Sequence, residues 1–268
     1  MSEIKAAAQT ADASDGLDIA VRVGLVAYGV VHLLIAWLAL QVAFGESGKS
    51  ASSQGAMRTL AQQPLGEVLV WAVAIGLVML VLWRLLEAWQ AVQTEDGKEQ
   101  VLKPAGKLLK AVIYGAIAVS AFQVAAGAGG GGGGTDGMTA QLMSATAGQF
   151  LVGAVGVGVI CYAGYLVHRG WTDKFLEELD GSHGRKAGEA YRWIGKVGYI
   201  AKGAAIALIG ALFIWAAVTH DPKKSGGLDQ ALQELREQPF GQILLVVVAL
   251  GIACYGVFAF ARARHLSR

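Results

Sequence analysis

The chain is 268 residues long, 54% hydrophobic and only 16% charged, with a mean hydropathy of +0.49. Its apolar residues come in long blocks rather than in alternating or one-faced patterns, which argues against a soluble protein. Two cysteines are too few for a disulfide framework, and a formal net charge of +2 says little until its distribution is read.

The chain opens on MSEIKAAAQTADASDGLDIA, which has no apolar core of the signal-peptide kind and carries Glu3, Asp12, Asp15 and Asp18. Residues 1–20 are expected to form a mobile cytoplasmic tail. Six apolar blocks follow, at about 21–44, 65–92, 107–127, 147–169, 192–219 and 240–262. Each is long enough to cross a hydrocarbon layer of about 30 Å as a helix. Segments of this length satisfy their backbone in lipid as helices. The expected fold class is therefore all-α, a polytopic membrane protein with six transmembrane helices. Cys161 and Cys254, in the fourth and sixth helices, read as buried thiols.

The blocks pair into three copies of one hairpin. Repeat 1 covers 21–92, repeat 2 covers 107–169, and repeat 3 covers 192–268 with a basic tail. Among the second helices, Gln63-Pro64-Leu65-Gly66 corresponds to Gln238-Pro239-Phe240-Gly241, and Gly76 to Gly251 ten residues on. Gly148 and Gly158 keep that spacing in the middle copy, and Cys161-Tyr162 matches Cys254-Tyr255. Among the first helices, Tyr28-Gly29, Tyr114-Gly115 and Lys202-Gly203 fall in register, with Gly24 opposite Gly198. A two-helix unit crosses and returns, so all copies share one orientation. That predicts parallel repeats around a pseudo-threefold axis along the membrane normal. The 37 glycines fit a bundle whose helices approach closely through small residues.

The links between the helices of each pair carry short elements. Leu228, Leu232 and Leu235 give a one-faced helix, repeated faintly by Met57 with Leu60 and by Met138 with Leu142. These helices are expected to rest at the outer interface. Pro64 and Pro239 are placed where a helix begins. The run Gly129 to Gly134 is a flexible outer link. On the other side, Phe175, Leu176 and Leu179 predict a surface-lying turn, with Trp171 and Trp193 as interfacial anchors. The tail, the 93–107 and 169–202 links, the C-terminus and their flanking helix ends hold 17 of the 22 Lys and Arg. Basic loops stay inside, which places both termini in the cytoplasm.

The elements QPFG…G…YG, KVGYIAKG at the head of the last hairpin, and three two-helix units resemble the bacterial membrane family catalogued as domain of unknown function 1206. The resemblance covers about 20–264. It is best in the third copy and weaker in the second, where Ala147-Gly148-Gln149 stands in place of the proline motif. It implies a bacterial plasma-membrane protein, and it brings no activity and no catalytic residues.

Several residues are candidates for chemistry. His32 lies near the centre of the first helix, where an ionisable group is a functional candidate that can relay protons or ligate a metal or haem. Its register equivalents are Ala118 and Ile206, so no histidine ring forms, and the plainer reading is a hydrogen-bonded packing residue. Tyr28, Tyr114 and Lys202 converge if the first helices line the axis, and can then bind an anionic head group. Against that, Lys202 can snorkel to the interface. Arg84 and Glu87, three residues apart, can pair on one helix face, most simply as a structural pair. The segment Ala43 to Ser50 lacks the first glycine of a phosphate loop. The terminal Arg262, Arg264, His265 and Arg268 read as an anionic-lipid anchor and not as a nucleic-acid patch.

The expected function is a non-enzymatic structural, accessory, lipid-binding or partner-binding membrane protein, with membrane lipids and other membrane proteins as partners, no nucleic acid and no cofactor. One alternative is a small-solute or proton channel or transporter along the repeat axis, with His32 and Lys202 as polar stations. A further alternative is a haem-binding redox subunit.

Overall fold

The computed structural model describes residues 2–45, 50–94, 99–127, 135–144, 147–178 and 188–264. The Gly129 to Gly134 run, residues 46–49 of the Ala43 to Ser50 turn, Leu179, His265, Arg268 and the side chain of Met138 lie outside the described set. Among the described residues all regular structure is helical. The long helices are α1 (Ser2–Ala43), α3 (Gly66–Thr94), α4 (Glu99–Ala125), α6 (Gly148–Trp171), α7 (Gly188–Thr219) and α9 (Gly241–Arg264). Short helices α2 (Ser53–Ala61), α5 (Thr135–Met143) and α8 (Leu228–Glu237) lie between the members of each pair. All six long helices are apolar enough to span a membrane. The span in α1 begins at Val21, so residues 2–20, expected as a tail, continue that helix.

The six spans follow one another around a ring in chain order. Helix α3 packs on α4, α6 on α7 and α9 on α1, and these three contacts join successive repeats. Each is centred on the same register position. A methyl group added to Gly29 would come within 2.9 Å of the Gly256 carbonyl, and one added to Gly203 within 2.9 Å of the Ala163 carbonyl. The third member of the set, Gly115, faces Val81 at 4.0 Å. Lipid offers helices no hydrophobic reason to associate, so contact has to come from backbones brought close by small residues.

Within the repeats the ring is uneven. Helices α1 and α3 pack through Gly24 on Gly76, and α7 and α9 through Gly198 on the Tyr255 backbone and Ala201 on Gly251. Helices α4 and α6 make no comparable contact. Register explains the difference, because Lys110 stands where Gly24 and Gly198 stand in the other repeats. Its side chain cannot enter a backbone-to-backbone contact, and Gly158, the partner position on α6, looks onto open space. The ring therefore has a lateral opening between α4 and α6, whose spans are only 22% buried against 61% for α1.

The proline motifs act two residues earlier than expected. Gln63 and Gln238 accept hydrogen bonds from the Gly66 and Gly241 amides, both at 2.7 Å, around tight turns with proline second. Leu65 (φ 62°) and Phe240 (φ 61°) take the left-handed third position. Gly66, Gly148 and Gly241 then start the second helices against carbonyls of the preceding short helix, where a side chain would collide.

Two of the short helices, α2 and α8, are buried in the bundle and not laid on its surface, whereas Leu142 of α5 is exposed. Met57 in α2 and Leu232 in α8 are fully buried, and each helix reaches the first helix of the next repeat, α2 to α4 and α8 to α1. An apolar stripe needs cover, and the end of the bundle supplies more of it than a lipid surface does. The Ser50 hydroxyl donates to Asp229 across the first and third links at 3.0 Å. At the opposite, basic end, Phe175 also turns inward. It is fully buried against Tyr199 and Phe258, at 5.3 and 5.1 Å between ring centroids, in a space that Gly195 leaves open. Trp171 and Trp193 are exposed on either side of the Lys196 ammonium. Cys161 is exposed and Cys254 half-buried, so the expected burial of both thiols does not hold.

Candidate functional site

The first helices carry His32, Tyr28, Tyr114 and Lys202 on their inner faces, and the ring closes these onto one another toward the basic end. His32 is buried, one turn beyond Tyr28 on α1. Its Nδ1 lies 2.8 Å from the Tyr28 carbonyl. A carbonyl can only accept, so Nδ1 carries the hydrogen and Nε2 is left as an acceptor. The Lys202 Nζ stands 3.3 Å from that Nε2 and also donates to the Tyr28 hydroxyl. Below the ammonium lies the ring of Tyr255, with its centroid 3.9 Å away, and beside it the ring of Tyr28 at 4.8 Å. Lys202 therefore turns inward onto aromatic faces instead of extending to the interface.

Tyrosines complete the wall. Tyr28 meets Tyr114 edge-on at 4.9 Å, and Tyr199 meets Tyr255 at 5.1 Å. Tyr162 and Tyr255, which hold one register position in α6 and α9, line the same chamber with Arg169 and Arg262, which hold another. The space among these groups is about 20 Å³, room for about one water molecule. Ala118, opposite His32 in register, is buried, and Ile206 is partly so. His168 and His220 sit exposed at helix ends, away from His32.

Arg84 and Glu87 lie apart from this chamber. The Arg84 Nη1 donates to Glu87 at 2.5 Å, and Lys107 on α4 approaches the other oxygen of Glu87 at 4.0 Å. The pair thus ties α3 to α4. Between α4 and α6 the lateral opening holds a cavity of about 420 Å³ lined by Lys103, Lys107, Lys110, Tyr162 and Tyr165. Lys110, Tyr162 and Tyr165 line the chamber as well, so the two spaces adjoin.

Register foresaw the meeting of Tyr28, Tyr114 and Lys202. It passed over Tyr162, Tyr165, Tyr199 and Tyr255, and over the lysines of α4. The signal for the lysines was present, because positions 103, 107 and 110 recur at i, i+4 and i+7 and must share a helix face. At the edge of a basic link such lysines read as loop charge, which hides their direction.

Uncharacterized protein YxxB of Bacillus subtilis (strain 168) is 32% identical over 243 residues, which covers 90% of this chain and 88% of the relative. No solved structure matches the chain. The family described as Domain of Unknown Function (DUF1206) matches three times, over residues 23–91, 105–173 and 197–265, once for each two-helix unit. With most of its length inside those matches and a bacterial relative alike over nearly the whole chain, this protein belongs to the DUF1206 family, as three tandem copies of the repeat.

Proposed function

We propose that this is a non-enzymatic protein of the bacterial plasma membrane that works by binding a membrane component, with both termini in the cytoplasm. The observation that carries the reading is how the polar groups at the centre are used. Lys202, His32 and Tyr28 are hydrogen-bonded to one another, and the chamber beside them, which Tyr28 walls, has room for about one water molecule. Beyond it the short helices cover the far end of the bundle with Met57 and Leu232. A conducting path needs continuous wet space, whereas the cavity of about 420 Å³ beside the chamber opens sideways, between α4 and α6. Orientation follows the charge, with the lysine-rich and arginine-rich end inside.

The test is reconstitution of the full chain in liposomes with a pH-sensitive dye inside and an ion or solute gradient imposed. The expected result is no flux above that of empty vesicles. One observation favours a second reading, a proton or small-solute pathway, namely the connected Lys202–His32–Tyr28 group at membrane depth. Flux present in the wild type and lost in His32→Ala would establish that pathway in place of the binding role.

A further inference from the structure

We propose that the opening between α4 and α6 is the entry and binding site for one anionic phospholipid, whose phosphate is held by Lys103, Lys107 and Lys110. This rests on the binding role above and names its ligand. Three features carry it. The first is the gap itself, which arises because Lys110 replaces the glycine through which α1 meets α3 and α7 meets α9. A lysine here keeps the hairpin open and points a cation into the opening.

The second is the lining. Lys103, Lys107 and Lys110 lie along one face of α4, opposite Tyr162 and Tyr165 of α6, around a cavity of about 420 Å³. Among the described residues no carboxylate lines it, and the one carboxylate near its lysines, Glu87, stands 4.0 Å from Lys107 and is held by Arg84. The cavity's chemistry is that of an anion with a hydrogen-bond acceptor, not of a cation or a neutral sugar. The third is its place in the membrane. The lysines sit in the first turns of the α4 span, at the basic end of the bundle, where head groups lie. Deeper along α6 and on the same face as Tyr162 and Tyr165, Gly158 has nothing packed on it, which leaves room for an acyl chain. A free phosphate would use only the lysines, whereas a lipid uses both ends of the gap. Tyr162 and Tyr165 line both this cavity and the chamber that Tyr28 walls, so the bound head group lies near the polar centre.

The experiment is native mass spectrometry of the full chain, released from mild detergent after incubation with equal amounts of phosphatidylglycerol and phosphatidylcholine. The wild type is expected to retain phosphatidylglycerol preferentially, and added glycerol phosphate is expected not to displace it. Each lysine near an anionic surface contributes about fivefold to binding, so Lys103→Gln, Lys107→Gln and Lys110→Gln together should reduce retention on the order of a hundredfold. The pair Lys223→Gln and Lys224→Gln, which removes charge at the opposite end, should leave it unchanged. Equal retention of the two lipids by the wild type would overturn the proposal, and so would full displacement by glycerol phosphate. Because the triple variant can fail to fold, a photoactivatable phosphatidylglycerol is also mapped on the wild type. Labels on 103–110 and 158–165 are expected, and labels spread evenly over all six spans would overturn the assignment. Flux in the liposome assay would count against the binding role and not against the lipid site, so the two failures are distinguishable.

Discussion

At the scale of single residues, close approach and hydrogen bonding to neighbours do most of the deciding. Gly203→Ala would press a methyl group to within 2.9 Å of the Ala163 carbonyl and 2.6 Å of a Val167 methyl, whereas Gly115→Ala, in the same register, meets only Val81 at 4.0 Å. The first should cost about 1–3 kcal/mol as overpacking and the second close to nothing. Denaturant unfolding of the two variants in detergent, followed by helical circular dichroism, measures the difference. His32 offers a second check. With Nδ1 donating to the Tyr28 carbonyl and Nε2 accepting from Lys202, nitrogen-15 spectra of the labelled protein should show the tautomer protonated at Nδ1. In Lys202→Met that tautomer should persist, because the carbonyl still selects it, while the Nε2 resonance shifts as its donor is lost. Much of this was legible in the sequence, since residues at one register position must meet if the first helices line an axis. Lys202 was harder to place. Length lets a lysine reach either the interface or a neighbour, and the Tyr255 ring that draws it inward comes from a helix whose facing direction the register of first helices does not reveal.

At the scale of elements, the six spans lie within a few residues of the expected blocks, because hydropathy over a full crossing is a strong signal. The short helices show where that signal weakens. The apolar stripe is plain in α8 and faint in α2, and a stripe names a face without naming its cover. Met57 and Leu232 turn out to be fully enclosed by the bundle. Met57→Ala should therefore destabilise the protein by about 2–5 kcal/mol, the cost of an emptied core site. Phe240→Ala removes a larger side chain from a neighbouring link position that is 80% exposed, and it should change little. Thermal melting in a single detergent compares the two. If both were neutral, the short helices would lie on the membrane surface and the far end of the bundle would be uncovered. Phe175 at the basic end follows the same rule. Gly195 opens a hole that an aromatic ring fills, and neither residue alone announces the pairing.

For the whole molecule, three copies in chain order imply a ring, and the equivalent contacts of Gly29, Gly115 and Gly203 place the chain in one. What the repeat pattern alone hides is which side of the ring is open. Gly24 and Gly198 are matched across the first and third copies, and Lys110 in the second breaks a closure the other two share. That asymmetry can be tested in a chain whose own Cys161 and Cys254 have been changed to serine. Cysteines at 27 and 76 should form a disulfide on mild oxidation, since a Cβ at 76 would lie 3.2 Å from that of Ala27. A disulfide needs its two Cα atoms within about 4.4–6.8 Å, so cysteines at 113 and 158, in the same register but across the opening and with Lys110 retained, should stay reduced. Cross-linking of both pairs at equal rates would mean a closed, symmetric ring with no lateral entrance. Cross-linking of the second pair only after delipidation would instead mean that lipid holds α4 and α6 apart, and the rate of closure against added phosphatidylglycerol would then report occupancy of the gap directly.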